Sequence, residues 1–182
     1  MHFFLRLFLL FTLSSAVGSS LCWAAEPFPN SSSQQALPEA EDADWSDKAQ
    51  EILVNALSLT GIKYKYGGKS PETGFDCSGF VRYVFQQAAD LTLPHGARAI
   101  SQLGQRVPME QLQPGDLVFF NTLKSAFSHV GIYLGNNKFI HAPSSGGGIH
   151  VVNMNDEYWA KRFNGARRLD GTETMPEKPN SK

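Results

Sequence analysis

The run Phe75-Asp76-Cys77-Ser78-Gly79 places a thiol where a glycine-rich loop gives way to an apolar stretch of helical spacing. The first turn of a helix carries free N–H groups and the positive end of the helix dipole. Both stabilise a thiolate and an oxyanion beside it. With a cationic imidazole near, such placement lowers a thiol pKa to about 3.5–7.5. Only the thiolate is a strong nucleophile, so the position suits acyl transfer. The plainer alternative is that Cys77 merely opens the buried face of the helix, which it shares with Phe80, Val81 and Val84.

A nucleophilic Cys needs a base, and the base needs a group that orients it. Of the histidines, 95, 129, 141 and 150 lie beyond the N-terminal segment. His129 and His141 fall on neighbouring predicted strands. A three-residue loop, Gly135-Asn136-Asn137, pairs Leu134 with Lys138, Tyr133 with Phe139 and Ile132 with Ile140, so apolar residues meet on both faces. Gly131 then lies opposite His141, with His129 its diagonal neighbour on the same face. Diagonal neighbours are roughly 7–8 Å apart, within reach of ring side chains, so both imidazoles project toward one site. One Cys with two His is also a zinc constellation, but no CxxC or closely spaced His pair supports it. No metal and no organic cofactor is expected. His95 follows Pro94 in a loop and His150 starts a strand, and both are read as non-catalytic.

The elements that must position these groups follow from periodicity. Trp45 to Leu59 reads as an amphipathic helix with Trp45, Ala49, Leu53 and Leu57 on one face and Ile52, Ala56 and Leu59 beside it. Asp44 or Ser46 suits its start and Gly61 its end. A loop rich in glycine spans Tyr64 to Gly74, a second helix runs from about Cys77 to Ala88, and a short third covers 97–103. After the turn signal Pro114-Gly115, strands are predicted at 116–120, 129–134, 138–141, 149–154 and 163–169. Helices first and an antiparallel sheet after give an α+β fold, the helices packed on five to six strands.

Composition bounds the rest. Of 182 residues, 42% are hydrophobic and 18% charged, and the formal net charge is −1, so no strongly basic surface invites nucleic acid. Residues 1–25 read as a secretory signal peptide: His2 and Arg6 flank an apolar stretch, Phe3 to Leu13, which small residues and Cys22-Trp23-Ala24-Ala25 follow. The apolar stretch is too short for a membrane span, so no stable membrane insertion is expected after cleavage. Leu21 before Cys22 argues against lipidation. Of the 2 Cys, the mature chain keeps Cys77. Residues 26–43 read as a flexible linker, 44–169 as the folded domain and 170–182 as a disordered tail.

The order of motifs is also specific: Tyr64-Lys65-Tyr66-Gly67-Gly68, Gly74-Phe75-Asp76-Cys77-Ser78-Gly79-Phe80-Val81, Leu112-Gln113-Pro114-Gly115-Asp116-Leu117-Val118-Phe119-Phe120, Ser128-His129-Val130-Gly131-Ile132-Tyr133-Leu134-Gly135, Phe139-Ile140-His141-Ala142 and Gly165-Ala166-Arg167-Arg168. From about residue 47 to 169 the chain resembles the NlpC-type cell-wall cysteine peptidases, a branch of the papain-like superfamily. The resemblance implies a papain-like fold with Cys77 as nucleophile, His129 as general base and His141 as the residue that orients it. It places Tyr64 at the oxyanion or substrate, and Asp76 and Ser78 along the substrate cleft, where Asp76 also suits a helix cap. It implies peptide stems of bacterial peptidoglycan as substrate and the periplasm as the place of action. Alternatives on the same fold are a non-catalytic wall-binding protein and an acyltransferase or amidase. Leu93-Pro94-His95-Gly96-Ala97 departs from the Leu-Pro-Arg run of many members. The linker 26–43 is too polar to wall off the cleft, so the expected substrate is intact wall, cut at the D-alanyl-diaminopimelate crosslink, the alternative being the D-glutamyl-diaminopimelate bond within a stem.

Overall fold

In the computed structural model, which describes residues 39–122 and 125–171, the helix that carries the thiol forms for identifiable reasons. Helix α1 spans Glu39–Ser58, strands β1 and β2 are the short pair Lys69–Ser70 and Gly74–Phe75, and helix α2 spans Cys77–Ala89. The Asp76 side chain accepts a hydrogen bond from the Gly79 N–H and so caps α2. Phe80, Val81, Val84, Phe85 and Ala88 recur at helical spacing and are all buried. Each of the four Phe and Val side chains contributes about 1.5–3 kcal/mol on burial. The helix stops at Asp90, which adopts a left-handed conformation (φ 54) while its N–H returns to the Phe85 carbonyl.

Helix α1 begins upstream of the expected Trp45, and its buried face is rotated from the expected one. Ile52, Ala56 and Leu59 are the buried positions, whereas Leu57 is 47% exposed and Val54 69%. The sequence offers two adjacent apolar stripes on α1, and packing on α2 selects the one with Ile52 at its centre. Helix α3 is a single turn, Ala97–Ile100, shorter than the expected 97–103.

Six strands form one antiparallel sheet: β3 (Gln105–Val107), β4 (Leu117–Phe120), β5 (His129–Gly135), β6 (Lys138–His141), β7 (His150–Asn153) and β8 (Phe163–Arg168), in the order β3-β8-β4-β5-β6-β7. The edge strand β3 has no clear alternation in the sequence and is not among the expected strands; it pairs with β8 through Val107 and Ala166. The alternation of side chains sorts the rest onto two faces. Leu117, Phe119, Val130, Ile132 and Ile140 join the helices in the larger core. Val118, Phe120, Tyr133 and Phe139 form a second cluster on the opposite face. That face is covered in part by Trp159 from the short helix α4 (Glu157–Ala160).

The β5–β6 hairpin pairs Ile132 with Ile140 and Tyr133 with Phe139, as expected, but its turn differs. Gly135, not Leu134, pairs with Lys138, and Asn136-Asn137 make a two-residue turn with both residues left-handed (φ 51 and 57). Leu134 is the extra residue where the register shifts. A primed two-residue turn matches the strand twist, and the bulge restores the apolar register. At the other end of the sheet, Arg168 donates from Nε and Nη2 to the two oxygens of buried Asp116, each at 2.8 Å, and ties β8 to the turn before β4. No helix among the described residues is long and apolar enough to cross a membrane. The expected signal segment 1–25, the linker as far as residue 38 and the tail from 172 lie outside the described residues.

Candidate active site

Backbone geometry sets the thiol in place. The segment after α1 pairs with the loop before β7: the Gly61 N–H donates to the Ile149 carbonyl and the Tyr64 N–H to the Gly147 carbonyl at 3.0 Å. Tyr64 also bridges to Phe75 in parallel. This draws the Tyr64–Gly68 loop against the start of α2. The Asp76 carboxylate locks the two together. One oxygen accepts from the Gly79 N–H at 2.7 Å and from the Ser78 hydroxyl at 2.9 Å, and the other accepts from the Gly67 N–H at 3.1 Å. Asp76 is thus both helix cap and loop anchor, and Ser78 is engaged with it. Two glycines make the approach possible. A Cβ on Gly79 would lie 2.1 Å from the Gly68 carbonyl oxygen, and one on Gly68 would lie 2.3 Å from that of Gly74.

The Cys77 thiol stands at the first position of α2, within hydrogen-bond reach of the backbone N–H groups of Cys77, Ser78 and Val130. Val130 follows His129, so the start of α2 and the start of β5 converge here. The sequence leads to a lowered thiol pKa, but burial pushes it the other way, to about 11, with the Asp76 charge adding to the rise and the amides opposing it. The helix terminus therefore acts on a thiol that rests protonated. Tyr64 is half-buried beside it, and burial together with the charges of Cys77 and Asp76 raises its phenol pKa.

His129 and His141 are 2% and 1% exposed. Nε2 of His129 lies 2.8 Å from Nδ1 of His141, so the two rings share a hydrogen bond. Burial drives His129 down to about 4. It drives His141 to about 2, with the neighbouring His129 and His150 adding to the effect. Both rest as neutral imidazoles, which lets one donate to the other. The pair sits in an aromatic box. Trp159 stacks on His129 (centroids 5.7 Å, 27°) and presents an edge to His141 at 4.9 Å, with Phe139 at 5.2 Å from His141.

The structure thus brings Cys77, Tyr64, Asp76 and Ser78 together at the start of α2, and His129 and His141 together where β5 begins and β6 ends. His95 is elsewhere: its Nδ1 accepts from Arg82 Nη1 at 3.1 Å in the loop after α2. Among the described residues no cluster of His, Cys, Asp or Glu could hold a metal ion. Trp159 is the residue the sequence does not single out. Its signal is faint: the adjacent pair Tyr158-Trp159 in the short, mostly polar run Asn153–Lys161.

Comparison with known proteins identifies the family of this fold. The profile of the NlpC/P60 family matches residues 61–168. A protein of Escherichia coli (strain K12) named murein DD-endopeptidase MepS/murein LD-carboxypeptidase is 45% identical over 123 residues, covering 68% of this chain and 64% of that protein. Murein DD-endopeptidase MepH of the same organism is 39% identical over 132 residues, covering 70% of this chain and 49% of that protein. The chain therefore spans about half to two thirds of these relatives. Among solved structures, the peptidoglycan hydrolase RipB of Mycobacterium tuberculosis superposes with a TM-score of 0.60 at 28% identity, covering 72% of this chain and 68% of that one.

Proposed function

The chain belongs to the NlpC/P60 family, and from that premise we propose that it is an exported cysteine peptidase that hydrolyses amide bonds in the peptide part of peptidoglycan. The observation that carries the reading is a thiol under the first amides of α2 that also reaches the N–H of Val130, the residue after His129, whose buried ring is hydrogen-bonded to His141. As the Cys77 sulfur attacks the substrate carbonyl, the thiol proton passes to Nδ1 of His129. The carbonyl oxygen becomes an oxyanion under backbone N–H groups at the start of α2, with the Tyr64 hydroxyl as a further donor. One such donor commonly contributes about 2.7–4 kcal/mol. The carbon–nitrogen bond then breaks, His129 returns the proton to the leaving amine, and a thioester on Cys77 remains. Water attacks the thioester with His129 again as base, which releases the carboxylate and restores the thiol. His141 aims the His129 ring throughout. Asp76 and Ser78 border the cleft and hold its floor. No step calls on a metal or organic cofactor.

The bond we assign is the D-alanyl-diaminopimelate crosslink, reached in the periplasm after removal of residues 1–25. The names of the two Escherichia coli relatives support this choice, and an open-ended cleft suits intact wall. The test is to offer crosslinked muropeptide dimer and uncrosslinked tetrapeptide stems at equal concentration and to read the products by mass spectrometry. Dimer falling to two intact monomers, with Cys77→Ser inert, is the expected result. Cleavage within the uncrosslinked stem would reject the assigned bond. Unchanged substrate would favour a wall-binding protein, and acylated products a transferase.

A further inference from the structure

Nε2 of His141 is buried and, among the described residues, makes no hydrogen bond. Which kind of atom it is follows from the catalytic reading above, on which this inference rests. If Nδ1 of His129 takes the thiol proton, its Nε2 must carry the hydrogen that is donated to Nδ1 of His141. A neutral His141 that accepts at Nδ1 bears its own proton at Nε2. The unpartnered atom is therefore a buried donor, an arrangement that folded proteins avoid.

An acceptor of matching kind stands next to it. His150 lies directly across from His141 in the β6–β7 ladder, and the two ring centroids are 5.0 Å apart. Nδ1 of His150 is 2.8 Å from the Gly148 carbonyl oxygen. A carbonyl only accepts, so Nδ1 holds the proton and Nε2 of neutral His150 offers a lone pair. Trp159, Lys63 and Lys138, which flank the ladder, supply no acceptor. Trp159, against His141, has only an N–H to give. Lys63, which bridges to Gly148, is a cation, and Lys138 pairs with Asn153 at the far end. Unlike His141, His150 is exposed to solvent.

We propose that His150 is a positioning residue of the catalytic set: its Nε2 accepts the Nε2–H of His141, directly or across one bridging water, and so fixes His141 in the tautomer that receives the hydrogen bond from His129. The buried pair is then the inner part of a three-histidine chain whose last ring meets solvent.

The experiment compares purified wild type, His150→Leu and His150→Gln by kcat, KM and melting temperature from acid to neutral pH. Leu removes the acceptor, and Gln keeps one, its amide oxygen, that does not titrate. His150→Leu is expected to lose kcat about 10-fold, the low end of what outer partners of a functional histidine contribute, with KM and melting temperature unchanged. His150→Gln is expected to keep most of kcat. Wild-type kcat in His150→Leu, or a loss in His150→Gln as large as in His150→Leu, would overturn the proposal. Cys77→Ser runs alongside: turnover by that variant would sink the catalytic reading itself, whatever His150 does.

Discussion

Around Cys77 the site is held by backbone, and around His129 it is held by side chains. At the start of α2, three peptide segments approach within contact of one another through Gly68, Gly74 and Gly79, and the Asp76 carboxylate gathers N–H groups from two of them. Where β5 begins and β6 ends, Trp159 and Phe139 wall in two neutral imidazoles that bond mainly to each other. The difference divides the labour. The first half fixes where the sulfur and the oxyanion sit, and the second fixes which nitrogen holds a proton. A change in the first should displace atoms, whereas a change in the second should leave atoms in place and alter titration.

The sharpest way to break that contrast is Gly79→Ala. The added methyl meets a backbone carbonyl at 2.1 Å, so the loop or the helix must shift. Overpacking of this kind costs about 1–3 kcal/mol or more, and a displacement near 1 Å costs about 10²-fold in rate. Both a lower melting temperature and at least that loss of kcat/KM are expected from thermal denaturation and kinetics on one preparation. A variant with normal stability and activity would show that the glycine contact is not needed.

His129→Ala should cost about 10²–10⁴-fold in kcat, the range of general acid–base groups, with little change in melting temperature. His141→Ala should cost less, because it aims the base and moves no proton to substrate. Equal or reversed losses would show the roles exchanged. Trp159→Leu opens the aromatic wall to water and should reduce kcat several-fold. Its diagnostic is the pH profile: burial is what lowers His129, so the acid limb should move up from about 4 toward the ordinary imidazole value. An unmoved limb would mean that Trp159 does not shield the pair.

The smallest effect concerns the free enzyme. With the thiol pushed up to about 11, alkylation of Cys77 by iodoacetamide should climb steadily from neutral to alkaline pH. A rate that is already flat at pH below about 7, as for a resting thiolate–imidazolium pair, would contradict the neutral resting state.

The same division decides what the sequence made legible. Cys77, His129 and His141 were readable because each sits in a strongly patterned element: a capped amphipathic helix, and a hairpin whose apolar residues permit one central register. Ile132 and Tyr133 meet Ile140 and Phe139 as that pattern requires. The turn was not readable to the residue, since two- and three-residue loops both accommodate Gly135-Asn136-Asn137 and a bulge at Leu134 absorbs the difference. The rotation of α1 was hidden for a related reason. Two adjacent apolar stripes satisfy the same period, and only contact with α2 chooses Ile52 and Ala56 over Leu57. Trp159 was hidden because its helix is one turn long and polar around it, so its role comes wholly from packing against His129. The direction of the Cys77 shift was missed because local sequence displays the helix amides but not the depth of burial that outweighs them.

That outweighed helix terminus has a bearing on durability. Cys77 is a free cysteine, partly accessible to solvent, and peroxide attacks thiolates, not thiols, to begin the slide through sulfenic to irreversible sulfinic acid. A sulfur that stays protonated at neutral pH and gives up its hydrogen only to a base two histidines deep is a poor target for that chemistry. On the proposed mechanism the nucleophile stays latent between turnovers, and peroxide can leave it intact.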